Sequence, residues 1–484
     1  MKANHKKNIR SVPCWSLIIG GAIAMFCIST GCKKYLDVDL PSNLTLTKDV
    51  FSNVESANGA MLNVYGQMFN GTTSPYYLSL TTGLSADELI PYDQSLQSMF
   101  LNKATSEDFF TNTFWTTSYN MIYQANAVYE GSAKSTTLSE NLKQQLQGEA
   151  LFIRAYLHFL LYNLYGDVPI VITTNYEKNA VVTRNNKMEV YAQIVADLKS
   201  SITLLNDKYV DANGTTESKE RIRPNRLVAS ALLARVYLYM GDFQQAENLA
   251  TTLIDNSNYA LTDINGVFAA NSMEAIWQLK FVAGSFFNTT EAINYILSSS
   301  PALSSQSEIS KQLLSAFDDS DLRRTSWIAK YTDNDVVPTV DYYYPFKYKV
   351  RFGADGKEYS TVLRLAEQFL IRAESRAQLN KLPEAINDLD IIRKRANLPL
   401  ISVIKPGISK SALLDLVLAE RRREFFIEQG HRWFDLKRTR TIDNVMSTVT
   451  PAKGGGKWTP VKQLWPIPET ELITNPNIKQ NEGY

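Results

Sequence analysis

Two stretches far apart in the chain can be laid over one another, and that overlay limits the fold more than anything else in the sequence. The first is "RLVASALLARVYLYMGDFQQAENLATTLI", Arg226 to Ile254. The second is "EQFLIRAESRAQLNKLPEAINDLDIIRKRANLP", Glu367 to Pro399. With Ala246 set over Ala385, Ala234 meets Ala373, Leu238 meets Ala377 and Phe243 meets Leu382. Each reads as a helix, a turn at Gly241-Asp242 or Asn380-Lys381, and a second helix. Small residues fall where paired helices must approach closely. Neither hairpin can bury its apolar side alone, so each needs neighbours of the same kind.

That is the logic of a tetratricopeptide-like repeat. Two matched units are few for a solenoid, so a pair of unrelated helical hairpins stays open. The stretch "NLKQQLQGEALFIRAYLHFLLYNLYGDVPIV" supports a helical body. Its Leu142, Leu146, Ala150, Ile153, Leu157, Leu160 and Leu164 recur at steps of three and four, which predicts one buried face. Gly166 and Pro169 stop that helix. On the helix of "FWTTSYNMIYQANAV", Trp115, Tyr119 and Ile122 share a face and read as core; Trp277 reads as core, and Trp465 as packing down the tail.

Between the two hairpins the pattern loosens. Ser257 to Arg351 mixes a strand-like "EAIWQLKF" with "SSSPALSSQSE" and "VDYYYPFKYKV". "GTTESKE" and "AKGGGKW" read as exposed loops. The prediction is therefore a mostly α fold, with helix pairs as scaffold and irregular loop and short-strand insertions. Function is disproportionately carried by such insertions.

The helix "LLDLVLAERRREFFIEQGHRWFDLKR" carries an oddity. Leu413, Val417, Glu420, Glu424 and Ile427 share one stripe, and Leu414, Leu418, Arg421 and Phe425 its neighbour. Charges continue an apolar face, and inward charges must be paired. Glu420, Arg421 and Glu424 are predicted to form partly buried ion pairs with other helices. Gly430 is predicted to end this helix, with Trp433, Phe434 and Leu436 packing the next turn. An active site built on these carboxylates and His431 is the competing reading, and the structural one is favoured.

All three cysteines lie at the beginning: Cys14, Cys27 and Cys32. Lys2, Lys6, Lys7 and Arg10 precede an apolar run from Trp15 to Ile28, too short for the roughly 20 residues a membrane-spanning helix needs. This is the plan of a secretory leader. Ser29, Thr30, Gly31 and Cys32 resemble a bacterial lipobox, with Ser29 where leucine is more usual. The resemblance implies cleavage before Cys32 and lipid on its sulfur and new amino group. An ordinary signal peptide cut near Gly31, or an uncleaved anchor, remains open. Cleavage would leave no second cysteine to mispair in an oxidising compartment.

Net charge is +1. The leader holds four cations and no acid, so the remainder sits near −3. No basic excess points to nucleic acid. No glycine-rich phosphate loop follows a strand. Beyond the leader only His158 and His431 are histidines, so no zinc-type His/Cys cluster is predicted. A glycosidase needs two suitably spaced carboxylates, and no catalytic motif singles out a pair.

The chain resembles the SusD/RagB family of outer-membrane nutrient-binding lipoproteins. The resemblance is carried by "GEALFIRAYLHFLLYNLYGDVPIV", "ERRREFFIEQGHRWFDLKR", "FWTTSYNMIYQANAV", the tail "LWPIPETELITNPNIKQNEGY", and a lipidated cysteine followed by "KKYLD". It implies a leader over 1–31, a lipidated tether over 32–45, an N-terminal helical region over 46–256 and a C-terminal region over 257–484. It further implies a binder without enzymatic activity or cofactor, anchored on the exterior of the outer membrane, and leaves open whether a structural metal ion is bound. The implied partner is a SusC-like TonB-dependent transporter, over which the protein acts as a hinged lid. The implied ligand is a glycan or oligosaccharide, or a peptide in proteins of the RagB type. A repeat protein that docks other proteins without a nutrient ligand is the third reading.

Sugars offer C–H faces to aromatic rings and hydroxyl edges to polar side chains. Two loops match that need. One is "SADELIPYDQSLQSMF", with Asp87, Tyr92, Asp93 and Gln94 as candidate ligand residues. The other is "FVAGSFFN", with Phe281, Phe286 and Phe287.

Overall fold

The computed structural model describes residues 47–281, 285–304, 306–353 and 355–484. The leader, Cys32 and the tether lie outside the described residues. The longer helices are α1 (Val54–Asn70), α2 (Pro75–Ser85), α3 (Phe109–Lys134), α4 (Glu140–Tyr165), α5 (Lys187–Leu204), α6 (Arg226–Met240), α7 (Phe243–Ile254), α8 (Leu365–Gln378), α9 (Leu382–Arg395), α10 (Lys410–Glu424), α11 (His431–Arg438) and α12 (Ile442–Ala452). The mostly α fold expected from the sequence is the fold observed.

The helices stack in chain order. α1 packs on α3, α3 on α4, α4 on α5, α5 on α6, α6 on α7, α7 on α8, and α8 on α9 and α10. The α7–α8 contact joins the two matched hairpins directly, although more than a hundred residues separate them in sequence. Ala234, Ala246, Ala373, Ala377 and Ala385 are all fully buried at these contacts. Gly241 closes α6 in the left-handed conformation (φ 82°), and Asn380 takes the equivalent turn (φ 62°). Glycine adopts that conformation without steric penalty, and asparagine tolerates it.

Helix α4 departs from its one-sided expectation. It sits between α3 and α5, and Phe152, Arg154 and Glu149 are buried along with the predicted stripe. Its buried charges are answered: Arg154 donates to Asp197 (2.6 and 2.8 Å) and Arg223 to Glu149 (2.9 Å). Gly166 ends the helix, as expected.

The insertion between α7 and α8 carries most of the β structure. Strands are β1 (Leu89–Pro91), β2 (Ala275–Leu279), β3 (Ser307–Ile309), β4 (Ile328–Asp333), β5 (Val340–Pro345) and β6 (Ser360–Arg364). All pair antiparallel in twos: β1 with β3, β2 with β6, β4 with β5. The β2–β6 ladder is fully buried and ties the start of the insertion to its end. Trp277 lies in that ladder, wedged among Tyr65, Phe152 and Tyr156. Trp115 and Trp465 are buried, both against Tyr165.

Three local expectations need correction. Helix α10 ends at Glu424, so Ile427 is off its stripe (φ 52°). Gly430 does not end α10; it opens α11 at φ 72°, with Phe434 and Thr82 too close for a side chain to fit easily. "AKGGGKW" is not simply an exposed loop. Gly455 lies against the Leu101 backbone, Trp458 is buried and donates to Asp443 (2.7 Å), and Lys453 donates to the carbonyls of Leu84, Ser85 and Ala86.

Candidate ligand-binding face

The charged end of α10 is paired internally. Glu420 meets Arg323 (2.6 Å), Arg393 (3.0 Å) and Arg423 (2.9 Å). Glu424 meets Arg323 (2.9 Å), Arg364 (2.6 Å) and Arg395. Arg421 donates to Asp435 (2.7 Å) and lies against His431. Glu420, Arg421 and Glu424 are wholly buried. Arg393 and Arg395 come from α9 and Arg323 from a short helix of the insertion (Leu322–Ser326), as expected, but Arg364 comes from β6, so the pairing reaches beyond helices. Burial pushes the Glu420 carboxyl up, yet Arg323, Arg423 and Arg393 outweigh it and hold it at about 2. Burial and the surrounding guanidiniums keep His431 neutral, and its ring rests on Phe425 (4.7 Å). Each charge of Glu420, Arg421 and Glu424 is paired with an opposite charge from the chain itself.

Asp87, a candidate ligand residue from the sequence, belongs to this locked class. It is buried and receives both arms of Arg432 (2.8 and 2.9 Å) and one of Arg422 (2.8 Å). Burial pushes its carboxyl up, but the two guanidiniums hold it below the usual range. Asp93 has a local task too, capping the short 3-10 turn at Ser95 N (2.8 Å). Tyr92 is half-buried. Its hydroxyl donates to Glu308 (3.0 Å) and its ring meets Tyr342 edge-on (6.1 Å). Gln94 is exposed beside them.

The second predicted loop divides its three rings. Phe287 stacks on Phe69 of α1 (6.4 Å, 14° between planes), which fastens the loop to the scaffold. Phe281 is half-buried and meets Tyr359 at 6.5 Å. Phe286 meets Phe287 edge-on (5.7 Å, 85° between planes) and leaves its other side in water, 69% exposed. Beside it stands a ring that sequence reasoning missed. Phe352 is 62% exposed, with the Arg351 guanidinium 5.1 Å above it. The two loops are sewn together: Gly353 N donates to the Phe286 carbonyl (2.8 Å), Asn288 donates to Asp355 (2.9 Å) and Gly356 N donates to Asn288 (3.0 Å).

The Tyr92 group and the Phe286 loop are also coupled through Gln306, by its carbonyl and its side-chain amide. Tyr92 N donates to the Gln306 carbonyl, and Gln306 donates to the Asn294 carbonyl (2.6 Å) on the short helix that follows Phe286. Tyr295 of that helix meets Tyr76 of α2 at 4.9 Å. So Tyr92, Asp93, Gln94, Phe286 and Phe287 sit on interlinked loops, whereas Asp87 is turned inward. Tyr342, Arg351 and Phe352 were legible only as members of an aromatic run followed by the turn-forming "GADGK".

A family model described as "Starch-binding associating with outer membrane" matches residues 34–238. The SusD family model matches residues 174–484, well over half the chain. The chain belongs to the SusD family. SusD-like protein P2 of Formosa agariphila is 26% identical, covering 77% of this chain and 80% of its own length. A SusD superfamily protein from Bacteroides vulgatus superposes with a TM-score of 0.76 at 21% identity, over 90% of this chain and all of that one. A laminarin-binding SusD-like protein superposes with a TM-score of 0.71 at 20% identity, over 89% of this chain and 99% of that one. These structural likenesses establish the fold of this SusD family member. Among the described residues, no helix is long and apolar enough to cross a membrane.

Proposed function

We propose that this SusD family protein binds a glycan on the cell exterior and delivers it to a SusC-like TonB-dependent transporter. The observation that carries the reading is the pair Phe286 and Phe352. Two large rings stand in water on loops that are bonded to each other and stacked onto a helical scaffold. Burying such a ring would gain about 1.5–3 kcal/mol, so their exposure is a standing expense in an otherwise well-packed body. A pyranose face laid on them would recover it, while Arg351 and the Tyr92–Glu308 pair lie within the same loop set to meet hydroxyls. The laminarin-binding relative shares the fold, which supports a saccharide over a peptide as ligand. The reading carries no enzymatic step.

Residence follows from Cys32, taken as the lipidated first residue of the mature chain. Lipid adds about 0.8 kcal/mol per buried CH₂, and more than one acyl chain is needed for stable anchoring. A Cys32→Ala chain is expected to leave the membrane fraction, and mass spectrometry of the native N-terminus is expected to show acylation.

The test of binding is affinity electrophoresis of the mature protein against laminarin, starch and a broad polysaccharide panel. At least one polysaccharide should retard it, and Phe286→Ala with Phe352→Ala should abolish that retardation. A peptide library bound where every polysaccharide failed would replace the glycan reading. Copurification of a β-barrel with the lipidated protein from detergent extracts tests the transporter partnership.

A further inference from the structure

A cavity of about 370 Å³ lies where the end of α4, the start of α5, helix α11 and the C-terminal tail meet. Its size falls in the range of about 300–1,000 Å³ typical of small-molecule sites. It shares no residue with the aromatic face.

The charges lining it do not balance. Arg184, Lys187, Lys437 and Arg438 face one carboxylate, Asp167. Arg438 is committed to Glu374 (2.5 and 2.7 Å) and Asp435 (2.7 Å). The other three have no carboxylate at ion-pair distance among the described residues. Lys437 donates to the carbonyl of Asn163. Arg184 donates to the carbonyls of Asp167 (2.7 Å) and Lys479 (2.8 Å) and to Asn481. Carbonyls hold these cations in place without neutralising them. Burial with no compensating acid pushes the Lys437 ammonium down to about 7. A charge kept in such a setting is costly unless something pairs it.

The walls are aromatic. Tyr162 and Tyr191 meet at 5.2 Å, and Tyr239 completes the lining with a buried hydroxyl that has no hydrogen-bond partner among the described residues. Rings beside cations suit a ligand with C–H faces and a negative group. A neighbouring hollow of about 440 Å³ shares Lys187, Tyr239 and Arg438, which leaves room for a longer chain. We propose that this cavity binds one anionic sugar residue, a hexuronate or a sulfated hexose, through Arg184, Lys187 and Lys437.

The experiment is isothermal titration calorimetry of the mature protein at low salt with D-glucuronate, D-galactose 6-sulfate, D-glucose and inorganic sulfate. At least one anionic sugar should bind saturably and tenfold or more tighter than glucose and than sulfate. The preference between the two anionic sugars identifies carboxylate or sulfate ester as the natural group. Lys437→Met and Lys187→Ala should each weaken that binding at least fivefold, while Phe286→Ala should leave it unchanged. Lys187 is exposed, so its variant remains informative if Lys437→Met fails to fold. Glucose binding as tightly as the anionic sugars, sulfate alone matching them, no sugar binding at all, or Lys187→Ala without effect would each overturn the proposal.

Discussion

The C-terminal end of α10 and the Phe286–Phe352 loops invert ordinary burial in opposite senses. At α10, carboxylates and guanidiniums that would prefer water lie fully buried. At the loops, phenyl rings that would prefer the interior stand in water. In the first region every charge on Glu420, Glu424 and Arg421 meets an opposite charge from the same chain. In the second, Phe286 and Phe352 have their loop backbones secured and their outer faces free. Satisfied anomalies hold a structure in register; unsatisfied ones wait for something else. Asp87 shows the value of the distinction, because its residue type suggested the second class and its partners put it in the first.

The largest effect should come from removing a partner at α10. Glu424→Ala removes the carboxylate that Arg323, Arg364 and Arg395 share and leaves these three cations with Asp321, Glu420, Glu274 and Glu428 alone. Deleting one member of a buried pair costs about 3–5 kcal/mol, so urea unfolding should show a loss of that size. A loss below about 1 kcal/mol would mean that water already reaches the cluster. Acid probes the same network without mutation. Glu420 is depressed from 4.5 to about 2 in the folded protein. Its contribution is present above pH 4.5 and is lost as pH falls through 2. Stability should therefore fall steeply between pH 4.5 and 2, and the Glu420→Gln variant should fall less steeply over that window.

The loop side contains one group with the opposite sign. Glu291, on the short helix after Phe286, is buried and bonded to Ser360. Burial raises its carboxyl from 4.5 to about 7, only partly offset by the Ser360 bond. A raised folded value gives stability that is present below pH 4.5 and lost as pH rises through 7. Glu291→Gln cannot titrate, so it should gain on the native protein by about 1–3 kcal/mol between pH 4.5 and 8. The comparison is of melting curves at the two pH values. An unchanged difference would show that the Glu291 carboxyl is not desolvated.

These regions also differ in how far the sequence revealed them. The helix pairs were legible because close helix contacts demand small residues at matched steps, and Ala234, Ala246, Ala373 and Ala385 supply them locally. The end of α10 was not legible. Nothing between Glu424 and Gly430 breaks a helix by itself, and Ile427 keeps the stripe's spacing. The stop comes from the insertion: Arg364 donates to the Glu424 carbonyl (2.8 Å), and Lys347 donates to those of Glu424 (3.1 Å) and Phe426 (2.8 Å). Carbonyls that a local cap would normally satisfy are taken by residues some sixty to eighty positions away. Asp87 was misplaced for the same reason, since Arg422 and Arg432 lie more than three hundred positions along. On the candidate face, Phe286 could be singled out as one of several rings in a loop. Which ring faces water depends on whether Phe69 takes its neighbour, and that is a tertiary fact.

Phe286 and Phe287 therefore give the finest test, two adjacent rings in edge contact of which only Phe287 is stacked on the scaffold. Phe287 stacks on Phe69 and is half-buried, so Phe287→Ala should lower stability by roughly 1–3 kcal/mol. Phe286 is mostly exposed and touches Phe287 only edge-on, so Phe286→Ala should lower stability by less, about 0.5–1 kcal/mol. Polysaccharide affinity should move the other way round, falling at least tenfold for Phe286→Ala. Phe287→Ala can reach affinity only by loosening the loop, so a binding defect there should shrink on cooling below the melting transition, whereas the Phe286 defect should persist at every temperature at which the protein is folded. If both variants lost stability equally, Phe286 would be part of the packed body, and the division between charges locked inside and rings left outside would not hold on this face.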